Sequence, residues 1–414
     1  MSQRSYLSDE IIPSDETIQP QSANGVPNRS GSVEASVAFF IPFLASLGVY
    51  CKTLCPSVAH GHDSGELTTA AYLLGVAHPP GYPLYVRLGW LWCQLLPGDN
   101  PAWKMNLFAA VCVAAAAGLL SLTLRRQLLT ELKSTVDATS TLAGVVAALM
   151  FAFAYSTWNQ AVGAEVFGLH LLLLAGLAWT AVAWLSDEST QSRRRHMTIT
   201  SILFGLGASH HHTLVLAAPG MLLAAWLTQP KVRQWGLSWW MVPSFLLSSV
   251  PFYWHTMLVA RSDPPLNWGS PDNWSAIKEH FLRKAYGTFQ LSANLGQRGS
   301  GEAHSQGYWI SLCRRQFPFP AIGLALPSLW FPTSRRAPLV AMLLLWAIIY
   351  GPGFSLLGQQ TADEFHLDMQ ERFYTSSYFA VAGLCGLGLA SLLRLRPLPW
   401  SLKILVFCVP LLGL

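Results

Sequence analysis

Apolar stretches alternate with short polar breaks along most of the chain, and the breaks carry most of its charge. A helix needs roughly 20 apolar residues to cross the hydrocarbon core of a bilayer. Runs at 33–54, 105–124, 141–158, 166–185, 236–260, 337–357 and 373–393 fit or approach that length. Shorter runs lie at 197–209, 213–228, 317–332 and 399–414. The pair at 197–209 and 213–228, parted only by a histidine triplet, reads as broken or tilted helices. The pattern predicts an all-α polytopic membrane protein with about eleven transmembrane helices. Two polar interruptions are long, 55–104 and 261–316. Inside the first, 84–96 is apolar but short and contains Arg87, which predicts an interfacial or re-entrant helix. Residues 1–33, rich in Ser, Pro, Asn and acids, read as a disordered cytoplasmic tail, too long and too acidic for the start of a cleavable signal.

Composition agrees with that reading. The chain is 52% hydrophobic and only 11% charged, whereas soluble domains carry about 25% charged residues. Its 17 Trp and 12 Tyr are the residues that favour membrane–water interfaces. The net charge of +5 is scattered in twos and threes between apolar runs, so it points to membrane topology and not to nucleic acid. Arg125, Arg126 and Lys133, Arg193 to Arg195, Lys231 and Arg233, Arg335 and Arg336, and Arg394 and Arg396 all fall on one face if each run crosses once. The positive-inside rule makes that face cytoplasmic. The other face receives Asp63, Glu66, Glu165, His210 to His212, the loop 261–316 and the acidic segment 363–372. Arg283-Lys284 and Arg314-Arg315 lie on this second face against the rule, within a long loop where charge constrains orientation less. The seven cysteines have no zinc-ligand spacing, and most lie in apolar runs and read as buried thiols.

The candidate chemistry centres on residues 60–83, which hold Asp63, Glu66, His60, His62 and His78 and close on Pro79-Pro80-Gly-Tyr-Pro83. A helix from about Ser64 to Val76, ended by that rigid turn, is the local expectation. Asp63 and Glu66, three residues apart, would share a helix face. A partly desolvated carboxylate there can act as general base toward a hydroxyl; alternatively the two form a capping box at the helix start. Glu165 stands at the mouth of a span, where an acid needs a partner or a task, or where it complements a helix N-terminus. Consecutive histidines cannot all face one ion on a helix, so His210 to His212 favours a hydrogen-bonded histidine over a metal site. Arg372, at the start of a span, and Arg283 are placed where arginine recognises phosphate, or where it snorkels or pairs with an acid.

Asp63-Ser-Gly-Glu-Leu67 followed by Leu74-Gly-Val-Ala-His-Pro-Pro-Gly-Tyr-Pro-Leu84 resembles the signature of the plexin-type transmembrane O-mannosyltransferases and their bacterial relatives, members of the GT-C class. Further similar blocks follow in order: Ala164-Glu-Val-Phe167, His212-Thr213, Asn267-Trp-Gly269, His280-Phe-Leu-Arg283, Tyr286-Gly-Thr-Phe289 and Glu371-Arg-Phe373. The resemblance covers about 34–393 and implies a GT-C-like catalytic domain over 34–414. It implies transfer of mannose from a polyprenyl or dolichyl phosphate to Ser or Thr hydroxyls of an extracytoplasmic acceptor protein, with inversion. Asp63 is then the expected base, assisted by Glu66; Arg372, Arg283, Glu165, His212 and His78 are expected to serve donor phosphate and substrate. No cofactor and no metal is expected, because the lipid phosphate is itself a competent leaving group. The implied membrane is the endoplasmic reticulum or the bacterial cytoplasmic membrane, with the site luminal or periplasmic. Two departures stand out: only His212 of the triplet matches, and the soluble C-terminal domain with helical repeats carried by many members is not expected here. Transfer to a glycan or lipid, or secondary transport, are the alternative readings.

Overall fold

The computed structural model describes residues 29–59, 63–287, 308–309, 311–317, 319–330, 333–358 and 364–395. His60 and His62, the tail before residue 29 and the apolar run 399–414 lie outside the described residues. Among the described residues the chain is helical, with a lone parallel bridge, Val76 to Asn267, as its β-type pairing.

The helices in order are α1 (Arg29–Thr53), α2 (Ser64–Tyr72), α3 (Pro83–Leu95), α4 (Pro101–Leu132), α5 (Ala138–Phe153), α6 (Tyr155–Val162), α7 (Phe167–Ser186), α8 (Thr190–Ala208), α9 (Ala218–Thr228), α10 (Met241–Arg261) and α11 (Trp274–Phe281). Later come the helix Ala337–Ile348 and the last long helix, Glu364–Arg394. Five helices among the described residues are long and apolar enough to cross a bilayer, or six if the α5–α6 pair, bent by 68°, is one span. The bend falls at Ala154, inside the run 141–158. Among the described residues the other expected runs are helical too, but shorter or less apolar. α8, from Thr190, carries Arg193 to Arg195 in its first turns, the run 213–228 opens on a single 3₁₀ segment (His212–Ala217), and 317–332 is divided into Phe319–Gly323 and Leu326–Trp330. α1 begins at Arg29, a few residues inside the expected tail.

α4 is the axis of the molecule and packs against α1, α5 and α7. Its apolar window is 72% buried and that of the last long helix 83%, against 17% for α1, which places α1 at the rim. Such close crossings favour small residues, because lipid tails offer no hydrophobic reason for helices to associate and backbone approach must supply the packing. α4 accordingly buries Ala109, Ala110, Ala114, Ala116, Ala117 and Gly118.

The polar residues sort to two ends. At one, Arg125 meets Glu34 at 3.1 Å, Arg336 meets Glu131 at 2.6 Å and Arg394 meets Asp137 at 2.7 Å. Thr130 at the end of α4 reaches Ser186 at the end of α7 (3.3 Å), and Gly236 packs on the backbone of Arg193 and Arg194. The basic loops read as sharing one face thus gather physically. The described acids and histidines of the candidate chemistry, among them Asp63, Glu66, His78, Glu165 and His210 to His212, gather at the other end.

Candidate active site

Asn106, buried in α4, organises this end. Its amide nitrogen donates to the carbonyls of Cys55 (2.7 Å) and Ser57 (2.8 Å), while its amide oxygen accepts the N–H of Ala164 (2.7 Å). One side chain therefore ties the first loop to the α6–α7 turn and sets Asp63 beside Glu165. The backbone N–H of Asp63 donates to Glu165 Oε1 at 3.0 Å, and Glu165 Oε2 accepts the N–H of Val166 at 3.2 Å.

Arg372, on the last long helix, inserts between the two acids. Its NH1 lies 3.0 Å from Asp63 Oδ2 and 3.1 Å from Glu165 Oε1. The Glu165 side chain is 1% exposed and Arg372 13%, whereas Asp63 is 42% exposed, so Asp63 is the member of the cluster that solvent or a substrate can reach. The guanidinium sits near the rings of Phe167 (6.0 Å) and Phe373 (5.5 Å), and its buried Nε has no hydrogen-bond partner among the described residues. Among the described residues, two carboxylates thus face this one guanidinium.

Asp63 occupies the N-cap position of α2 and its carbonyl accepts the Leu67 N–H (2.9 Å), but its side chain makes no capping bond, and Glu66 is engaged elsewhere, so no capping box forms. Glu66 instead accepts the backbone N–H of His78 at 2.7 Å and contacts the His78 ring Nδ1 at 3.0 Å; His78 Nε2 pairs with the Tyr82 hydroxyl at 3.1 Å. The two acids expected to share a face therefore serve different partners. α2 also ends at Tyr72, short of the expected Val76. The cause is tertiary: Leu74 takes a left-handed φ of 55°, and Val76 donates to Leu266 (2.8 Å) and accepts from Trp268 (3.2 Å). Helix is exchanged for a seam to the second loop.

That seam brings the second loop over the first. His280 Nε2 lies 3.1 Å from the Ala77 carbonyl, and the His78 ring meets Trp268 and Tyr286 edge-on at 6.4 Å. Burial pushes the His280 imidazole down to about 4. Arg283, with φ 53°, lies over Tyr286 at 5.3 Å. Tyr82 lies within electrostatic reach of Arg283, Asp63, Glu165 and Arg372, and so joins the Asp63 cluster to the Glu66–His78 pair.

The histidine triplet divides its tasks. His210 Nε2 pairs with the Val166 carbonyl at 2.9 Å and His211 Nδ1 with Thr213 at 2.6 Å, while His212 packs on Phe281 at 4.3 Å. His212 thus borders the site without touching its acids. Among the described residues no three His, Cys, Asp or Glu side chains converge as ligands of an ion. Sequence reasoning missed Asn106 and Tyr82; a lone Asn amid the apolar residues of a span was the available signal for the first.

Comparison with known proteins agrees with the fold and with the family resemblance. The family model described as protein O-mannosyl-transferase TMEM260 N-terminal domain matches residues 63–234. The chain is 30% identical over 382 residues to the protein O-mannosyl-transferase TMEM260 of Mus musculus, covering 89% of this chain and 51% of the relative. It is 29% identical over 273 residues to the protein O-mannosyl-transferase tmem260 of Dictyostelium discoideum, covering 60% and 31%. The chain therefore spans about half the length, or less, of the curated relatives it matches. Among solved structures, ArnT from Cupriavidus metallidurans, bound to undecaprenyl phosphate, superposes with a TM-score of 0.55 at 15% identity, over 91% of this chain and 62% of that one. The shared architecture is the GT-C polytopic membrane fold.

Proposed function

This chain is a relative of the TMEM260-type protein O-mannosyltransferases, and on that premise we propose that it moves mannose from a polyprenyl or dolichyl phosphate to Ser or Thr hydroxyls of an extracytoplasmic protein. The observation that carries the reading is the cluster itself: an exposed acid, Asp63, and a buried acid, Glu165, held 3.0 and 3.1 Å from one nitrogen of Arg372 at the end of a membrane bundle. The acceptor oxygen attacks the anomeric carbon as Asp63 takes its proton. The bond from that carbon to the phosphate oxygen breaks, and the polyprenyl phosphate leaves with the electron pair, which inverts the centre.

Arg372 is suited to the departing phosphate because the two acids hold it through NH1, which fixes the guanidinium and its charge beside Asp63. Such preorganised donors stabilise charge as it develops on the leaving group. Arg283, close enough to act on the Tyr82 phenol, is the second cation we assign to the donor. Glu165 positions Arg372 and the Asp63 backbone. Glu66 orients His78, and with His212 these side chains border the sugar and acceptor. No cofactor enters this scheme. The clustering of the basic loops at the opposite end supports a luminal or periplasmic site, in the endoplasmic reticulum or the bacterial cytoplasmic membrane.

The test is transfer of radiolabelled mannose from polyprenyl-phosphate-mannose by membranes carrying the wild type or Asp63→Asn at equal expression. The expected outcome is a loss of about 100-fold or more in the variant, the low end for removal of a general base. Transfer at the wild-type rate would remove Asp63 from that role.

A further inference from the structure

At the end of the bundle away from the candidate active site, two cavities adjoin. One, of about 530 Å³, runs between α7, α8, α9 and α10 and is walled by Trp184, Phe204, Met221, Trp235, Phe245 and Leu246. The other, of about 510 Å³, is lined by Gln191, Arg194, Arg195, Thr198, Trp239 and Trp240. Leu237 lines both, so the basic opening continues into the apolar cleft. Each has the volume of a small-molecule site, roughly 300–1,000 Å³.

The hydroxyls of the apolar cleft are already matched. Thr200 donates to Thr180 (3.1 Å), Thr180 to the Leu177 carbonyl (3.0 Å) and Ser201 to the Met241 carbonyl (2.6 Å). A cleft without unmet donors accepts hydrocarbon and gives nothing to a sugar or a peptide backbone. The basic opening is the opposite case. Arg194 and Arg195 are exposed, and among the described residues no carboxylate pairs with either. Asp187, nearby in sequence, is engaged by Ser192 (2.6 Å) and His196 (2.7 Å). Arg193 turns away, its Nε on the Asp187 carbonyl at 2.9 Å and its guanidinium over Trp184.

The wall between the two is fastened in place. Trp184 donates to the Trp235 carbonyl (2.9 Å), Trp235 to that of Gln229 (2.7 Å), and Gly236 sits at φ 75° where a Cβ would stand 2.9 Å from the Arg194 nitrogen. Trp239 and Trp240 stack with ring centres 3.7 Å apart, both more than half exposed, as indoles at a membrane–water interface are.

We propose that these joined cavities bind one anionic glycerophospholipid, its phosphate on Arg194 and Arg195 and an acyl chain in the cleft. An acyl chain that moves from bulk lipid into the cleft exchanges one apolar medium for another, so selection rests on the headgroup charge. The site is separate from the donor phosphate: Arg195, near the start of α8, and Ala208, at its end, stand roughly 20 Å apart at 1.5 Å per residue.

The test is native mass spectrometry of the full chain with phosphatidylglycerol or phosphatidylcholine, for the wild type, Arg194→Gln/Arg195→Gln and Ala225→Trp. Ala225 lines the cleft, so the last variant fills it and leaves both arginines. The wild type is expected to prefer phosphatidylglycerol by roughly tenfold or more, each arginine contributing roughly fivefold. The double variant should bind the two lipids alike, and Ala225→Trp should lose phosphatidylglycerol with its charge intact. Equal binding of both lipids by the wild type would reduce the cavities to ordinary lipid-facing surface and overturn the proposal. So would full competition by inorganic phosphate, retention of phosphatidylglycerol by Ala225→Trp, or stronger binding of undecaprenyl phosphate than of phosphatidylglycerol.

Discussion

Arg372 shows how little a single residue's surroundings can be guessed from its neighbours in the chain. Its adjacent acid, Glu371, turns to Ser156 (2.9 Å) and Arg315 (3.1 Å), while its own partners come from two other loops. Asn106 has the same character in neutral form. Replacing it by Ala leaves the buried N–H of Ala164 without its partner, at a cost of about 1–3 kcal/mol, and removes the bonds to the half-buried Cys55 and exposed Ser57 carbonyls at about 0.5–1.5 kcal/mol each. Asn106→Ala is therefore expected to lower stability by at least roughly 2 kcal/mol in thermal unfolding of the purified chain. Transfer by the folded fraction should fall further, because the register between Asp63 and Glu165 goes with the clamp. Full transfer by the folded fraction would show that the two loops hold their register without it.

At the scale of elements, the informative feature is the seam between the first and second loops. Gly75 has no Cβ because one would lie 2.6 Å from the Leu266 carbonyl oxygen. Gly75→Ala is expected to part the seam, losing the two Val76 hydrogen bonds at about 1 kcal/mol each. The readout is faster proteolysis of the second loop together with reduced transfer; an unchanged cleavage rate would mean that the seam is dispensable. His280 makes the same seam sensitive to pH. Its folded value of about 4 lies below the unfolded 6.5, so the unfolded chain binds the proton first. Its contribution to stability is complete above about pH 6.5 and is lost as pH falls toward 4. Unfolding of the wild type should thus be eased between those values, and His280→Gln, which keeps a donor for the Ala77 carbonyl, should flatten that part of the profile.

Across the whole molecule the two ends have separate work, one binding helices together and one holding chemistry. Arg336 is 3% exposed and grips Glu131 through Nε and NH2 while NH1 reaches the Leu387 carbonyl, so it joins α4 to the last long helix. Arg336→Met leaves Glu131 buried and unpaired, a loss of about 3–5 kcal/mol for a broken buried pair. The expected result is a lower Tm with unchanged kcat/KM for the protein that remains folded. A change in kcat/KM at full folding would mean that the two ends are coupled.

The spacing of apolar residues by itself determined the class of the protein, most helix positions and the sorting of charge to two faces. It did so because apolarity reports the medium around each segment, which is a local property. The ordered blocks likewise pointed to Asp63, Glu66, Glu165 and Arg372. Only the tertiary structure decided which of them meet: Asp63 and Arg372 are 309 residues apart, and Glu165 lies 102 residues after Asp63. The same holds for the early end of α2 and for the separation of Glu66 from Asp63. The reason is physical. In a bilayer every apolar helix face is equally content with lipid, so apolar pattern does not encode which helices pack together. Partners are set by close backbone approach and by buried polar groups such as Asn106, whose demands are met only once distant loops have arrived.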